Sequence, residues 1–92
     1  MIKSFHGKDT QLLFEGKCPR KFKPISMVAE RKLQMLDNAY TLEDLSSPPG
    51  NRLEALRGNR KGFWSTRIND QWRICFRFEN GDAFDVEIID YH

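Results

Sequence analysis

The feature that most restricts the fold is a run with a period of two. Trp72, Ile74, Phe76 and Phe78 alternate with Arg73, Cys75 and Arg77, and Asn80-Gly81 follows at once. Such alternation gives a strand with one apolar face and one polar face, here largely basic. Asn-Gly is the dipeptide that most readily takes the positive φ angles of a two-residue hairpin turn, so Ala83 to Tyr91 should return as a second strand, antiparallel to the first. Phe63 to Ile68, bounded by Gly62 and by Asn69-Asp70, reads as a preceding strand, and Arg52 to Arg57 before Gly58-Asn59 is a candidate fourth. The product is an antiparallel meander.

Upstream of Gly50 the pattern is helical. Lys8 to Glu15 offers Asp9 and Thr10 at a helix start, Leu12, Leu13 and Phe14 on an apolar side, and Gly16 as a stop. Lys17 to Pro24 is basic and holds Pro19 and Pro24, which suits a loop. From Ile25 to Tyr40, apolar residues at Ile25, Val28, Ala29, Leu33, Leu36 and Tyr40 form one helical stripe opposite Glu30, Arg31, Gln34 and Asp37. Thr41 and Asp44 form a capping pair for one turn holding Leu42 and Leu45, and SSPPGN then breaks the chain. Met1 to Phe5 could add a strand to the sheet. Helices that all precede the strands would cover one face of the sheet, which makes the expected fold α+β.

At 92 residues the chain has room for one core, so residues 1–92 are read as a single domain. With 39% hydrophobic and 30% charged residues it is too apolar for a disordered tail. No run of roughly 18 apolar residues could span a bilayer, and MIKSFHGKDT lacks the apolar core of a secretory signal, so a cytoplasmic protein without membrane association is expected. Cys18 and Cys75 are not in CxxC spacing, and with two histidines they make a poor zinc set. They read as buried free thiols.

Charge is unevenly placed. Residues 1–51 carry eight basic and six acidic residues, 52–77 carry seven basic and two acidic, and 78–92 carry five acidic and no basic ones. Six of the seven middle bases are arginine, whose planar fork grips phosphate through two hydrogen bonds. A polyanion is the candidate partner; alternatively, the arginines pair across strands with the acidic final segment.

If helices cover one sheet face, alternation sends Arg73 and Arg77 to the other, and Arg67 and Arg57 join them where the register allows. Phe63, Trp64 and Tyr91 would suit base stacking, although most aromatics must serve the core. Asp90-Tyr91-His92 continues an apolar strand, which places a titrating imidazole at the margin of a basic surface. RNA cleavage by its own 2′-hydroxyl needs a proton acceptor, a proton donor and cations for the charge growing on phosphorus. His92 and Arg73 fit those roles, and neither a metal nor another cofactor is called for. The rival readings are a non-catalytic RNA-binding module and a small protein-interaction domain.

Met1-Ile2-Lys3-Ser4-Phe5, the block Asn51-Arg52-Leu53-Glu54-Ala55-Leu56-Arg57-Gly58-Asn59-Arg60, the segment Asn69-Asp70-Gln71-Trp72-Arg73-Ile74-Cys75-Phe76 and the ending Asp90-Tyr91-His92 together resemble the HigB-type toxins, a branch of the RelE superfamily of bacterial toxin-antitoxin systems. The resemblance runs the whole length in the same order. It implies a microbial-RNase-like α+β fold and a ribosome-dependent mRNA endonuclease that cuts the A-site codon without a metal, leaving a 2′,3′-cyclic phosphate and a 5′-hydroxyl. By resemblance, His92 is the general acid or base, Tyr91 and Asp90 orient substrate and histidine, and Arg73 is the phosphate ligand. Arg57 lies where relatives carry a lysine or arginine near the scissile phosphate, and Arg67 is a further substrate contact. Some members carry a histidine where this chain has Glu54, which is left out of the site. The implied partners are the ribosome, its mRNA and a HigA-type helix-turn-helix antitoxin, through which alone the toxin would meet operator DNA.

Overall fold

The hairpin forms where the sequence places it. Asn80 and Gly81 take φ of +50° and +83° and join β3 (Trp72–Glu79) to β4 (Asp82–Asp90). A computed structural model describes residues 1–46 and 49–90. Within them β2 (Phe63–Arg67) pairs antiparallel with β3 and β1 (Glu54–Ala55) with β2, giving a four-stranded meander in chain order. The fourth strand is shorter than Arg52 to Arg57. Arg52 has a φ of +45°, which no extended residue takes, and a 3-10 turn begins at Gly58.

Helices α1 (Lys8–Phe14), α2 (Ser26–Asn38) and α3 (Leu42–Leu45) lie before the sheet, as expected. Leu13, Ala29, Leu33, Leu36 and Leu45 from the helices meet Ile74, Phe76, Ala83, Val86 and Ile88 from the sheet in one buried cluster. Each of the larger side chains, Leu, Ile, Val and Phe, contributes about 1.5–3 kcal/mol by leaving water. Thr10 does not start α1. It is buried in the first turn, and its hydroxyl accepts the Ile88 N–H at 3.0 Å, which ties the helix to β4. Tyr40 leaves the expected stripe and is 83% exposed, because α2 ends at Asn38 and the extended Ala39 takes the buried position. The capping pair is confirmed. Asp44 N–H donates to the Thr41 hydroxyl, while the Asp44 carboxylate accepts the Tyr40 and Thr41 N–H groups, which hold it below the usual carboxylate range.

The expected loop at Lys17 to Pro24 is a correction. Arg20–Ile25 is a 3-10 helix containing Pro24, and its Phe22 is completely buried, edge-on to Trp72 with ring centroids 5.6 Å apart. A short 3-10 segment tolerates proline because it forfeits only one backbone donor. The first residues do not form a full strand either. Ile2 and Phe5 make isolated parallel bridges to Ala83 and Val86 along the edge of β4. Between those bridges Asp85 has a φ of +55°, and the β3 and β4 register shifts between Cys75 and Arg77, so a bulge interrupts continuous pairing.

Candidate active site

The sheet face turned away from the helices is set by register. Arg67 lies opposite Arg73, which lies opposite Ile89; Glu54, Ser65, Cys75 and Glu87 form the next row; and Phe63 lies opposite Arg77. The face carries Arg67, Arg73 and Arg77, as expected, but it also carries Glu54 and Glu87 and is less open than alternation implied. Arg73 is only 8% exposed. Its Nε donates to the Ser65 hydroxyl at 2.8 Å, and one terminal nitrogen donates to the Ser65 and Arg52 carbonyls at 3.3 and 2.6 Å. The backbone bend at Arg52 belongs to the segment whose carbonyl meets the guanidinium. A fork held in this way is preorganised, and an anion reaching it needs no side-chain ordering.

Arg67 pairs with Asp70, an ion pair whose acid is almost fully in water and adds little stability. Lys32 of α2 donates to the Asn51 amide oxygen, and its pKa is lowered by burial, then by Arg31 and Arg67. The Arg67 side therefore carries several mutually repelling cations, the arrangement that a polyanion relieves. Arg57 is exposed just beyond β1, beside a concavity of about 650 Å³ lined, among the described residues, by Glu54, Ala55, Leu56 and Arg57. Asp90 lies opposite Trp72, and its carboxylate accepts a hydrogen bond from the Gln71 side-chain amide at 3.0 Å. The register thus brings Arg67 and Arg73 together but does not bring Asp90 to them: Asp90 lies beside Trp72, one step along β4 from the residue facing Arg73, so alternation turns its side chain to the other face of the sheet. Tyr91 and His92 lie outside the described residues.

Pairing with the acidic final segment also occurs. Arg77 Nε donates to Asp85 at 3.0 Å, and Arg60 reaches Glu87 at 3.5 Å. The pairing reading of the charge pattern therefore holds for Arg60 and Arg77. Sequence reasoning did not single out Arg60, Glu87 or Ser65 for this face; the opposed charges of residues 52–77 and 78–92 were the only signal for the first two.

The cysteines divide. Cys75 is buried beneath this face, and burial pushes its thiol up to about 11, with Arg60 and Arg73 partly opposing the rise. Cys18 is exposed, contrary to the expectation of two buried thiols. Iodoacetamide at neutral pH is therefore expected to modify Cys18 alone in the folded protein and both cysteines in denaturant. Peptide mass mapping checks this, and rapid native labelling of Cys75 would contradict its burial.

Residues 3–92 match the family model described as the RelE-like toxin of type II toxin-antitoxin system HigB. The chain belongs to the HigB-like toxin family. Among relatives, it is 37% identical over 94 residues to Endoribonuclease HigB of Proteus vulgaris, covering the whole of both chains. It is 49% identical over 56 residues to Toxin HigB-1 of Vibrio cholerae serotype O1, covering 61% of this chain and 59% of that one. Its fold is similar to that of YafQ from E. coli strain BL21(DE3), with a TM-score of 0.64 at 14% identity over 98% of this chain and 91% of that one. The YoeB-YefM toxin-antitoxin complex from Staphylococcus aureus gives a TM-score of 0.58 at 16% identity over 100% and 98%. This HigB-like chain therefore has the RelE-like toxin architecture that its sequence implied.

Proposed function

We propose that the protein is a ribosome-dependent mRNA endoribonuclease, a toxin that cleaves mRNA in the A site of the small ribosomal subunit and is neutralised by a HigA-type antitoxin in the cytoplasm. The observation that carries the reading is the preorganised Arg73 guanidinium beside Arg67 on the helix-free sheet face. The full-length similarity to a relative named as an endoribonuclease supports it. In this reading the 2′-oxygen attacks phosphorus and gives its proton to a base while the 5′-oxygen leaves and takes a proton from an acid. The products are a 2′,3′-cyclic phosphate and a 5′-hydroxyl. His92 transfers a proton, Tyr91 orients it and the substrate, Arg73 stabilises the charge growing on the phosphoryl oxygens, and Arg57 and Arg67 hold neighbouring phosphates. No step requires a metal.

A small cationic site orients free RNA poorly. A ribosome that presents the codon in a cleavable conformation can supply orientation worth up to roughly 7–11 kcal/mol. The expected result is that a synthetic message is cut during translation, leaves cyclic-phosphate ends, and stays intact when the same protein meets it without ribosomes. Mapping 3′ ends in a reconstituted translation mixture checks this. Equal cutting with and without ribosomes would remove the ribosome from the mechanism, and no cutting in either would favour a non-catalytic RNA-binding module.

A further inference from the structure

Asn51 has a polar side chain and is only 1% exposed. It stands immediately before Arg52, whose carbonyl meets the Arg73 guanidinium at 2.6 Å. We propose that Asn51 is a positioning residue for the cleavage reaction: it holds the bend at Arg52 and so aims the Arg73 fork, without itself touching the phosphate. The inference rests on the reading of Arg73 as the phosphate ligand and adds the residue that keeps Arg73 in place.

The first ground is how Asn51 is held. It ends the 3-10 turn Pro49–Asn51. Its amide nitrogen donates to the Leu45 carbonyl at 3.1 Å, and its amide oxygen accepts a hydrogen bond from Lys32 Nζ. Leu45 is the last residue of α3 and is 2% exposed in the core, while Lys32 stands in the middle of α2. One short amide thus ties the turn to two helices, through a donor and an acceptor at once. An ionised carboxylate of the same size has no donor and cannot do both.

The second ground is what Asn51 stands beside. Arg52 has a φ of +45°, a conformation that a residue other than glycine keeps only where its surroundings over-determine it. Freed of that restraint, Arg52 would relax toward the extended backbone of β1, which begins at Glu54, and its carbonyl would turn away from the guanidinium. Arg73 would keep its contacts to the Ser65 hydroxyl and carbonyl, at 2.8 and 3.3 Å. Both come from one residue of β2, whereas the Arg52 carbonyl comes from a different segment and is the nearer of the two carbonyls. Losing it lets the fork turn about Nε. A donor that must be reoriented during the reaction stabilises developing charge less well than one already aimed.

The test joins NMR of the isotope-labelled full chain to cleavage on programmed ribosomes. The Arg73 Nε–H should exchange slowly with water in the unaltered protein. In Asn51→Ala that exchange should quicken roughly tenfold, the scale of losing one hydrogen bond to a charged group. Single-turnover cleavage at saturating protein should slow by roughly 10–100-fold, with the half-saturating concentration unchanged. In an Arg73→Lys background the same substitution should cost about twofold or less, because an ammonium has no plane to orient. A residue serving the fold alone would lower the urea midpoint without this dependence on Arg73. Should Asn51→Ala lose its dispersed spectrum, Asn51→Asp keeps the size and the Lys32 partner but sets an oxygen against the Leu45 carbonyl, and it should quicken the same exchange. Unchanged Arg73 exchange in a folded variant, or an equal loss of cleavage in both backgrounds, would overturn the proposal. Unaltered protein that cuts no message would overturn the endonuclease reading and with it the consequence for cleavage, while quickened Arg73 exchange would still establish the positioning.

Discussion

Phe22→Ala is expected to lower the free energy of unfolding by about 3–5 kcal/mol, a large part of the ~5–15 kcal/mol typical of a folded domain. The ring is completely buried and stands edge-on to Trp72 at 5.6 Å, while Lys21 Nζ lies 5.1 Å from its centroid on the solvent side. Truncation removes the transfer free energy of the ring, its contact with Trp72 and the volume that seals the core between α2 and the sheet. The flanking Pro19 and Pro24 limit how far the backbone can collapse into the space left behind. Urea titration monitored by tryptophan fluorescence checks this, with a lower midpoint at an unchanged slope. A shift below about 1 kcal/mol would show that the 3-10 segment merely lies over the core. Phe22→Leu keeps most of the apolar volume and should recover most of the loss.

Phe22 also marks where sequence reading reaches its limit. A basic stretch with two prolines describes its own backbone, not the one ring that a neighbouring core lacks. The strands were legible because alternation and Asn80-Gly81 are local signals, as were the α2 stripe and the cap formed by Thr41 and Asp44. For Arg73 the face was legible, whereas its burial was not. Burial depends on the Arg52 carbonyl, which a positive φ and a separation of 21 residues bring to the guanidinium. The contact between Arg60 and Glu87 spans 27 residues and depends on a register altered by the bulge at Asp85. Alternation predicts which side a residue takes, but not its neighbour across an irregular ladder. Of the candidate site, Arg67 and Arg73 could be paired only once the β2 and β3 register was known.

The largest effect on activity is expected from His92→Gln, which should slow cleavage of translated mRNA by roughly 10²–10⁴-fold, the range for losing a positioned proton-transfer group. Glutamine can still hydrogen-bond but cannot carry a proton at neutral pH, so the loss should fall on the chemical step, with ribosome association and the urea midpoint retained. Arg73→Ala should behave differently because its guanidinium holds Ser65 and Arg52 in the fold and, under the proposed function, also meets the phosphate. Removing it leaves the Ser65 and Arg52 carbonyls without that donor, so stability should fall by about 1–3 kcal/mol while cleavage falls by roughly 10²–10³-fold. Arg73→Lys separates the two contributions: it restores positive charge but not the planar fork, so it should recover part of the cleavage and little of the stability. Single-turnover cleavage on programmed ribosomes, measured beside urea titrations of the same variants, distinguishes these patterns. Normal cleavage by His92→Gln would place proton transfer on another group, and a fully stable, fully active Arg73→Lys would reduce Arg73 to a point charge.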